Sequence, residues 1–280
     1  MKGKFTSHKS GGRMEGKSVV KAKKHLGQHF LIDQNVSRKI AQQFQAHRGC
    51  HNVLEIGPGM GALTKFLIEE PTNRVWVMDI DSESIVYLHA NFPELDGRII
   101  EADFLKDNLK TYFGDEPFAV VGNFPYNISS QILFRCLDFR NQVPEIMGMF
   151  QKEVAERIAE KPGTKTYGII SVLLQTFYDI EYCFTVDEHV FDPPPKVKSG
   201  VIRLTRNDRD TLPCDEKKFI QVVKACFNQR RKMIRNSVKA FITEGGEFEH
   251  RFLTERPEQL SVDDFIELTV ALEAHALKGS

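Results

Sequence analysis

At residues 120–129 the chain reads VVGNFPYNIS. An apolar run ends in an amide, Asn123, followed by Phe124, Pro125 and Tyr126. Strand ends ordinarily turn on small or polar residues and carry nothing bulky, so this ending needs another reason. Pro125 fixes its own φ and biases Phe124 toward an extended backbone. That can hold the Asn123 side-chain oxygen and the Phe124 carbonyl as a fixed pair of acceptors beside an aromatic face. Two acceptors and a ring suit an exocyclic amine on a flat base, which is read by edge hydrogen bonds while stacked between rings.

A second set of residues implies a cofactor. EIGPGMGALT (55–64) follows an apolar run and opens a helical pattern. Gly57, Gly59 and Gly61 let the backbone turn sharply and approach a ligand closely. Asp79, in VMDID, lies about 20 residues further on, where a carboxylate can accept both hydroxyls of a ribose. Gly57, Gly59 and Ala62 also satisfy the dinucleotide pattern GxGxxG/A, so the glycines alone leave NAD and S-adenosylmethionine both open. Asp103, in EADFL, adds a third polar point at a strand end. A lone Asp there is ordinarily a helix cap, and only its alignment with the other two makes it a candidate.

The elements that must position these groups alternate. NVLEIG (52–57), RVWVMDI (74–80), RIIEAD (98–103), FAVVGN (118–123) and EIMGMF (145–150) read as strands. GALTKFLIEE (61–70), SESIVYLHANF (82–92), SSQILFRCLDF (129–139) and 152–160 read as helices, with Ser82 as an N-cap. An amphipathic helix spans 33–44. This alternation predicts a doubly wound α/β fold with a parallel sheet, whose ligands lie outside the carboxyl ends of the strands. YCFTV (182–186) and GVIRLT (200–205) add strands, antiparallel at one edge. RNDRDTLPCDE (206–216) is polar and turn-rich and marks a domain boundary; helices follow at 215–227, 229–242 and 262–277.

Composition bounds the rest. A chain of 280 residues, 41% hydrophobic, suits one large domain or two unequal ones. No apolar run approaches the roughly 18 residues of a membrane span, and the N-terminus lacks a secretory apolar stretch. The five cysteines are scattered and odd in number, with no CxxC pair, which argues against zinc and against a disulfide framework. The expectation is a cytoplasmic protein with no metal. The 38 basic and 38 acidic residues cancel, but their distribution is uneven. Residues 1–20 form a basic arm, expected to be disordered. NQRRKMIRNSVK (228–239) contains no acid; helical spacing would put Arg231 and Arg235 on one face, a plausible phosphate-binding stripe.

The NFPY segment resembles the motif of amino methyltransferases that act on adenine N6 with S-adenosylmethionine. The resemblance extends through KKHLGQHFL (23–31), EIGPGMGALT, GNFPYNIS (122–129), MFQKEVAERI (149–158), YGIISV (167–172), VFDPPPKVKSGVIRL (190–204) and FNQRRKMIRNS (227–237). In that order these blocks resemble the small-subunit ribosomal RNA adenine dimethyltransferase family over nearly the whole chain from Lys23. Phe124 stands where Leu is commoner, and Asp79 where Glu is commoner.

The resemblance implies a Rossmann-like methyltransferase domain over 21–206 and a small helical RNA-binding domain over 207–280. It implies S-adenosylmethionine as cofactor, held by Gln28, His29, Leu31, Glu55, Gly57, Gly59, Gly61, Asp79, Ile80, Asp103, Phe104 and Asn123. Asn123 and the Phe124 carbonyl would hold the target amine, shaped by Pro125, with Tyr126 stacking on the base and Phe191 as a second wall. Lys196, Lys198, Arg230, Arg231, Lys232 and Arg235 would grip RNA. The implied partner is small-subunit rRNA within a pre-assembled subunit, the protein acting as a monomer. Two rivals share the fold: large-subunit adenine methyltransferases of the macrolide-resistance type, and a non-catalytic assembly or transcription factor. The first fits HLGQHFL, YGIISV and RRKMIRNS less well; the second would have a damaged glycine loop or no Asn123.

Overall fold

Strands with no polar face must be covered on both sides, and the central strands of this chain are of that kind. The computed structural model describes residues 20–242 and 246–278. Its strands are β1 (Phe30–Leu31), β2 (Asn52–Ile56), β3 (Arg74–Asp79), β4 (Ile99–Glu101) and β5 (Ala119–Asn123). They continue as β6 (Glu145–Gln151), β7 (Tyr178–Val186), β8 (Phe191–Asp192) and β9 (Ser199–Arg206). The helices are α1 (Gln34–Ala41), α2 (Thr64–Leu67), α3 (Ser82–Asn91), α4 (Lys110–Phe113) and α5 (Ser129–Asp138). After them come α6 (Lys152–Ala159), α7 (Ile169–Gln175), α8 (Glu216–Asn228), α9 (Ile234–Ser237) and α10 (Val262–Lys278).

Seven strands form one sheet in the order β4-β3-β2-β5-β6-β9-β7. β2 to β6 run parallel, and β9 lies antiparallel between β6 and β7. β1 and β8 make a separate antiparallel ribbon that sets Leu31 opposite Phe191. Successive residues of a strand point to opposite faces, and two hydrophobic clusters result. Leu54, Ile56, Val120 and Ile146 meet α5, α7, α8 and α10 on one face. Val53, Val75, Val121 and Met147 meet Ile40, Leu67 and Leu88, from α1 to α3, on the other. The sheet is doubly wound, and its order reverses between β2 and β5, the point where such folds open a ligand crevice.

Several local expectations are corrected. The cap of α3 is Asp81, whose carboxylate accepts from Glu83 N at 3.1 Å, not Ser82; a carboxylate one residue earlier is the better placed acceptor. The helix expected over 61–70 has one regular turn, α2, because the left-handed turn at Gly61 consumes its start. The helix expected over 229–242 is broken: α8 ends at Asn228, a turn covers 229–232, and α9 is followed by a 3₁₀ turn over Val238–Phe241. Arg231 and Arg235 therefore share no continuous helix. α7 begins inside the YGIISV block and runs three residues past it, where residue pattern alone assigns no element. Of the predicted arm, only Val20, which is buried, falls within the described residues. The chain after Arg206 is helical, and Phe219, Val222, Phe265 and Leu272 pack into the same cluster as the sheet.

Candidate active site

The carboxyl ends of β2, β3, β4 and β5 surround a cavity of about 810 Å³, open mouth included. Gly57, Asp79, Asp103 and Asn123 line it from the sheet, and Leu26 to Phe30 form a wall across it. The glycine turn is left-handed at Gly57, Gly59 and Gly61, with φ of 65°, 54° and 76°, a region that side chains disfavour. A Cβ on Gly57 would meet only Pro125 Cδ, at 3.9 Å; the rest of that space belongs to the cavity, so a ligand can lie against bare backbone. Gly59 and Gly61 serve packing instead: a Cβ would sit 2.8 Å from the Phe30 ring and 2.2 Å from the Phe92 ring, respectively.

Asp79 is buried and its oxygens accept from Gly59 N at 3.4 Å and Asp81 N at 3.0 Å. Burial raises its pKa, and the two N–H groups oppose the rise. Asp103 accepts from Leu105 N and pairs with Lys106 at 3.0 Å. Burial pushes its pKa up, but the Lys106 ammonium and the Leu105 N–H outweigh it, so Asp103 titrates below the ordinary range. Ile80, exposed, and Phe104, buried, both line the cavity; together they offer an apolar slot beside two carboxylates, which matches a nucleoside with hydroxyl and amine donors.

The wall over the cavity is tied down by a residue that the sequence reading missed. Asp81, almost fully buried, binds Lys23 Nζ at 2.5 Å and Gln28 Nε2 at 2.9 Å while capping α3. Gln28 thus lines the cavity with its amide already committed, its Oε1 accepting from Lys23 N. The signal was the second acid of VMDID, read only as flanking the first.

At the end of β5 each residue of the motif has an anchor. Asn123 Nδ2 donates to the His29 carbonyl at 2.9 Å. Among the described residues its Oδ1 has no partner, and it is left to accept a donor beside the cavity. Phe124 is buried, its ring tilted against Phe150 at 5.2 Å, so its ring belongs to the core. The Tyr126 hydroxyl shares a 2.5 Å hydrogen bond with Ser199 Oγ. Burial raises the Tyr126 pKa, and the Ser199 bond only partly opposes it. The His29 ring stacks on Tyr126 at 5.7 Å, while His29 Nδ1–H donates to Pro193 O at 2.7 Å. Ser199 could not have been found from sequence spacing; it arrives because β9 pairs with β6.

Other expected residues lie elsewhere. Phe191 is buried in the hydrophobic cluster with Leu31 and Val190 and does not line the cavity; the ribbon with β1 turns it inward. The second ring beside Tyr126 is that of His29. Leu31 and Glu55 are also buried behind the wall, Glu55 accepting from Thr64 Oγ1 at 2.6 Å. Lys198 pairs with Asp187 at 2.6 Å, and Lys196 is exposed nearby. Arg230 donates to Thr164 O at 3.1 Å. Arg231, Lys232 and Arg235 are exposed. Lys152–Glu156 and Arg157–Glu153 are local helix pairs. Among the described residues no group of three or more His, Cys, Asp or Glu could hold a metal ion, and no helix is long and apolar enough to cross a membrane.

A nicotinamide-dependent dehydrogenase has no use for an unpartnered amide oxygen and a stacked ring pair beside the cavity. Fold and site together define an S-adenosylmethionine-dependent methyltransferase. The family model described as ribosomal RNA adenine dimethylase matches residues 19–267. The chain is 56% identical over 260 residues to "Ribosomal RNA small subunit methyltransferase A" of Flavobacterium johnsoniae, covering 93% of this chain and 99% of that protein. It is 58% identical over 250 residues to the protein of the same name from Cytophaga hutchinsonii, covering 89% and 96%. Among solved structures, a dimethyladenosine transferase from Plasmodium falciparum superposes with a TM-score of 0.72 at 23% identity, covering 89% of this chain and 98% of that one. The 23S rRNA methyltransferase ErmE does so at 0.62 and 27%, covering 87% and 99%. The chain belongs to the ribosomal RNA adenine dimethylase family.

Proposed function

We propose that this protein methylates N6 of two adjacent adenosines in a hairpin near the 3′ end of small-subunit rRNA, giving N6,N6-dimethyladenosine. The observation that carries the reading is Asn123, which lines the cavity and is pinned through Nδ2 to the His29 carbonyl, so that its Oδ1, without a partner among the described residues, is left to accept from a bound base. S-adenosylmethionine, when bound, supplies a methyl group made electrophilic by its sulfonium sulfur. Gly57 would approach its methionine part, Asp79 its ribose hydroxyls and Asp103 its adenine amine.

The chain's own groups prepare the acceptor. An adenine amine is a poor nucleophile because its lone pair is delocalised into the ring. N–H bonds donated to Asn123 Oδ1 and Phe124 O favour an sp³-like nitrogen and aim that lone pair at the methyl carbon. As the N–C bond forms the C–S bond breaks, and the nitrogen then loses a proton. An in-line displacement of this kind needs positioning more than a strong base. Tyr126, held by Ser199 and His29, gives the base a ring to stack on. The second methylation begins with only one N–H left, so the two acceptors are partly redundant.

The small-subunit reading is favoured over the large-subunit one by the names of the curated relatives, and over a non-catalytic factor by the intact glycine turn and Asn123. The helical part over 207–280 would grip RNA backbone through Arg231, Lys232 and Arg235, with Lys196 nearer the mouth. The reading includes a monomeric, cytoplasmic protein acting on a pre-assembled subunit. The test is incubation with isotope-labelled S-adenosylmethionine and unmethylated small subunits, followed by nucleoside mass spectrometry. Label is expected in small-subunit dimethyladenosine, and Asn123→Ala is expected to lower its rate on the order of 100-fold. An unchanged rate would sink the acceptor role; label in large-subunit rRNA would sink the substrate.

A further inference from the structure

We propose that two glycines outside the cavity lining, Gly122 and Gly148, are positioning residues for the target amine and act through the ring of Phe124. Gly122 on β5 and Gly148 on β6 are direct partners in the parallel ladder. Neither has a positive φ, so backbone freedom is not what they supply. They supply space. A Cβ on Gly148 would stand 2.2 Å from Phe124 Cε2 and 2.7 Å from Cδ2. A Cβ on Gly122 would stand 2.8 Å from Cε1 and 3.0 Å from Cδ1, and 2.6 Å from the Ile56 carbonyl oxygen. The two edges of one ring therefore occupy the two positions where side chains would otherwise be. The paired glycines form a notch, and Phe124, 1% exposed, fills it.

The notch matters because of what the ring carries. The Phe124 carbonyl is one bond from the Cα to which the ring is tethered, and the φ of the next residue is fixed by Pro125. Asn123 is held by the His29 carbonyl and Tyr126 by Ser199. Phe124 has no side-chain polar group, so packing is its means of being held. A methyl group on Gly148 cannot coexist with the ring where it stands. Either the ring or β6 must move by about 1 Å, and a displacement of that size at a reacting group costs on the order of 100-fold in rate.

This inference rests on the reading of the Phe124 carbonyl as an acceptor, and the experiment separates the two. Methylation rate at saturating RNA and cofactor affinity are measured for Gly148→Ala, Phe124→Leu, the double variant and Asn123→Ala. Gly148→Ala is expected to lower the rate on the order of 100-fold with cofactor affinity within about threefold of the parent. Leu lacks the Cε2 and Cζ atoms that the new methyl would strike, and its tetrahedral δ-carbons can turn away from the ring's Cδ2 position, so Phe124→Leu/Gly148→Ala is expected to recover at least about tenfold over Gly148→Ala. Phe124→Leu alone leaves the notch part-empty and is expected to lower the rate with little change in cofactor affinity. This single variant keeps the test decisive if Gly148→Ala does not accumulate as folded protein. A parental rate in Gly148→Ala, a double variant no faster than Gly148→Ala, or a parental rate in Phe124→Leu overturns the inference. A parental rate in Asn123→Ala overturns the acceptor reading beneath it.

Discussion

Glu55 is a buried acid on β2 with no salt bridge among the described residues, and it offers a sharp test of the physical picture. It is 2% exposed on β2, and its one side-chain hydrogen bond comes from Thr64 Oγ1. Burial pushes its pKa up from 4.5 to about 8; the Thr64 bond opposes this and the negative charge of Asp79 adds to it. The folded protein therefore keeps a proton that the unfolded chain loses near its ordinary value. For a raised pKa the stability is fully present below the unfolded value and is lost as pH rises through the folded one. The interval from 4.5 to about 8 corresponds to roughly 5 kcal/mol in all, of which about 3 kcal/mol is already lost at pH 7.

Glu55→Gln removes the titration while keeping the shape and an oxygen for Thr64. Urea unfolding of both proteins from pH 5 to pH 9 isolates the effect, because every other group contributes alike to each. Near pH 5 the two should differ by about 1 kcal/mol or less, and by pH 8 to 9 the variant should be the more stable by about 3 to 5 kcal/mol. A difference that stays constant across the range would mean that Glu55 is not held protonated, and the burial argument would be wrong. Cofactor affinity adds a second discriminator. Family resemblance put Glu55 among the cofactor contacts, whereas the structure sets it behind the cavity wall. A change within about threefold fits a buried structural acid, and a loss near 100-fold fits a direct contact worth a charged hydrogen bond.

Asp81→Ala should lower stability by about 1 to 2 kcal/mol through the lost α3 cap. It should also weaken cofactor binding, since Lys23 and Gln28 lose the group that ties the wall over the cavity; differential scanning calorimetry and cofactor titration read the two effects separately. Replacing Arg231, Lys232 and Arg235 together by Ala should weaken RNA binding at low salt. Titrations at several salt concentrations should show the log–log slope reduced by about 2, at roughly 0.7 per phosphate contact on single strands. An unchanged slope would mean that this surface does not touch RNA.

What could be read from the sequence was what depends on local chemistry. The left-handed turn at 57–61 and the strand ends carrying Asp79, Asp103 and Asn123 follow from residue type and spacing, and the sheet places them on one ledge as expected. The parallel order of β2 to β6 follows from alternation alone. What could not be read depends on pairing across long separations. Phe191 as a second wall comes from the resemblance alone; pairing with β1 turns it into the core. The sequence offers the Phe124 carbonyl as an acceptor but says nothing of where its ring goes; only the juxtaposition of Gly122 with Gly148, 26 positions apart in sequence, shows the notch that the ring fills. Arg231 and Arg235 looked like a helical stripe because the segment has no proline or glycine to stop it, yet a turn intervenes. Ile234 is buried, and its N–H is bound by Glu255 O at 2.9 Å. That tertiary hydrogen bond replaces the helical one, so Arg231 and Lys232 project from the turn and Arg235 from α9, in an arrangement that the C-terminal chain sets. The motif itself states which chemistry is done; its aim is set by residues that only the folded sheet brings beside it.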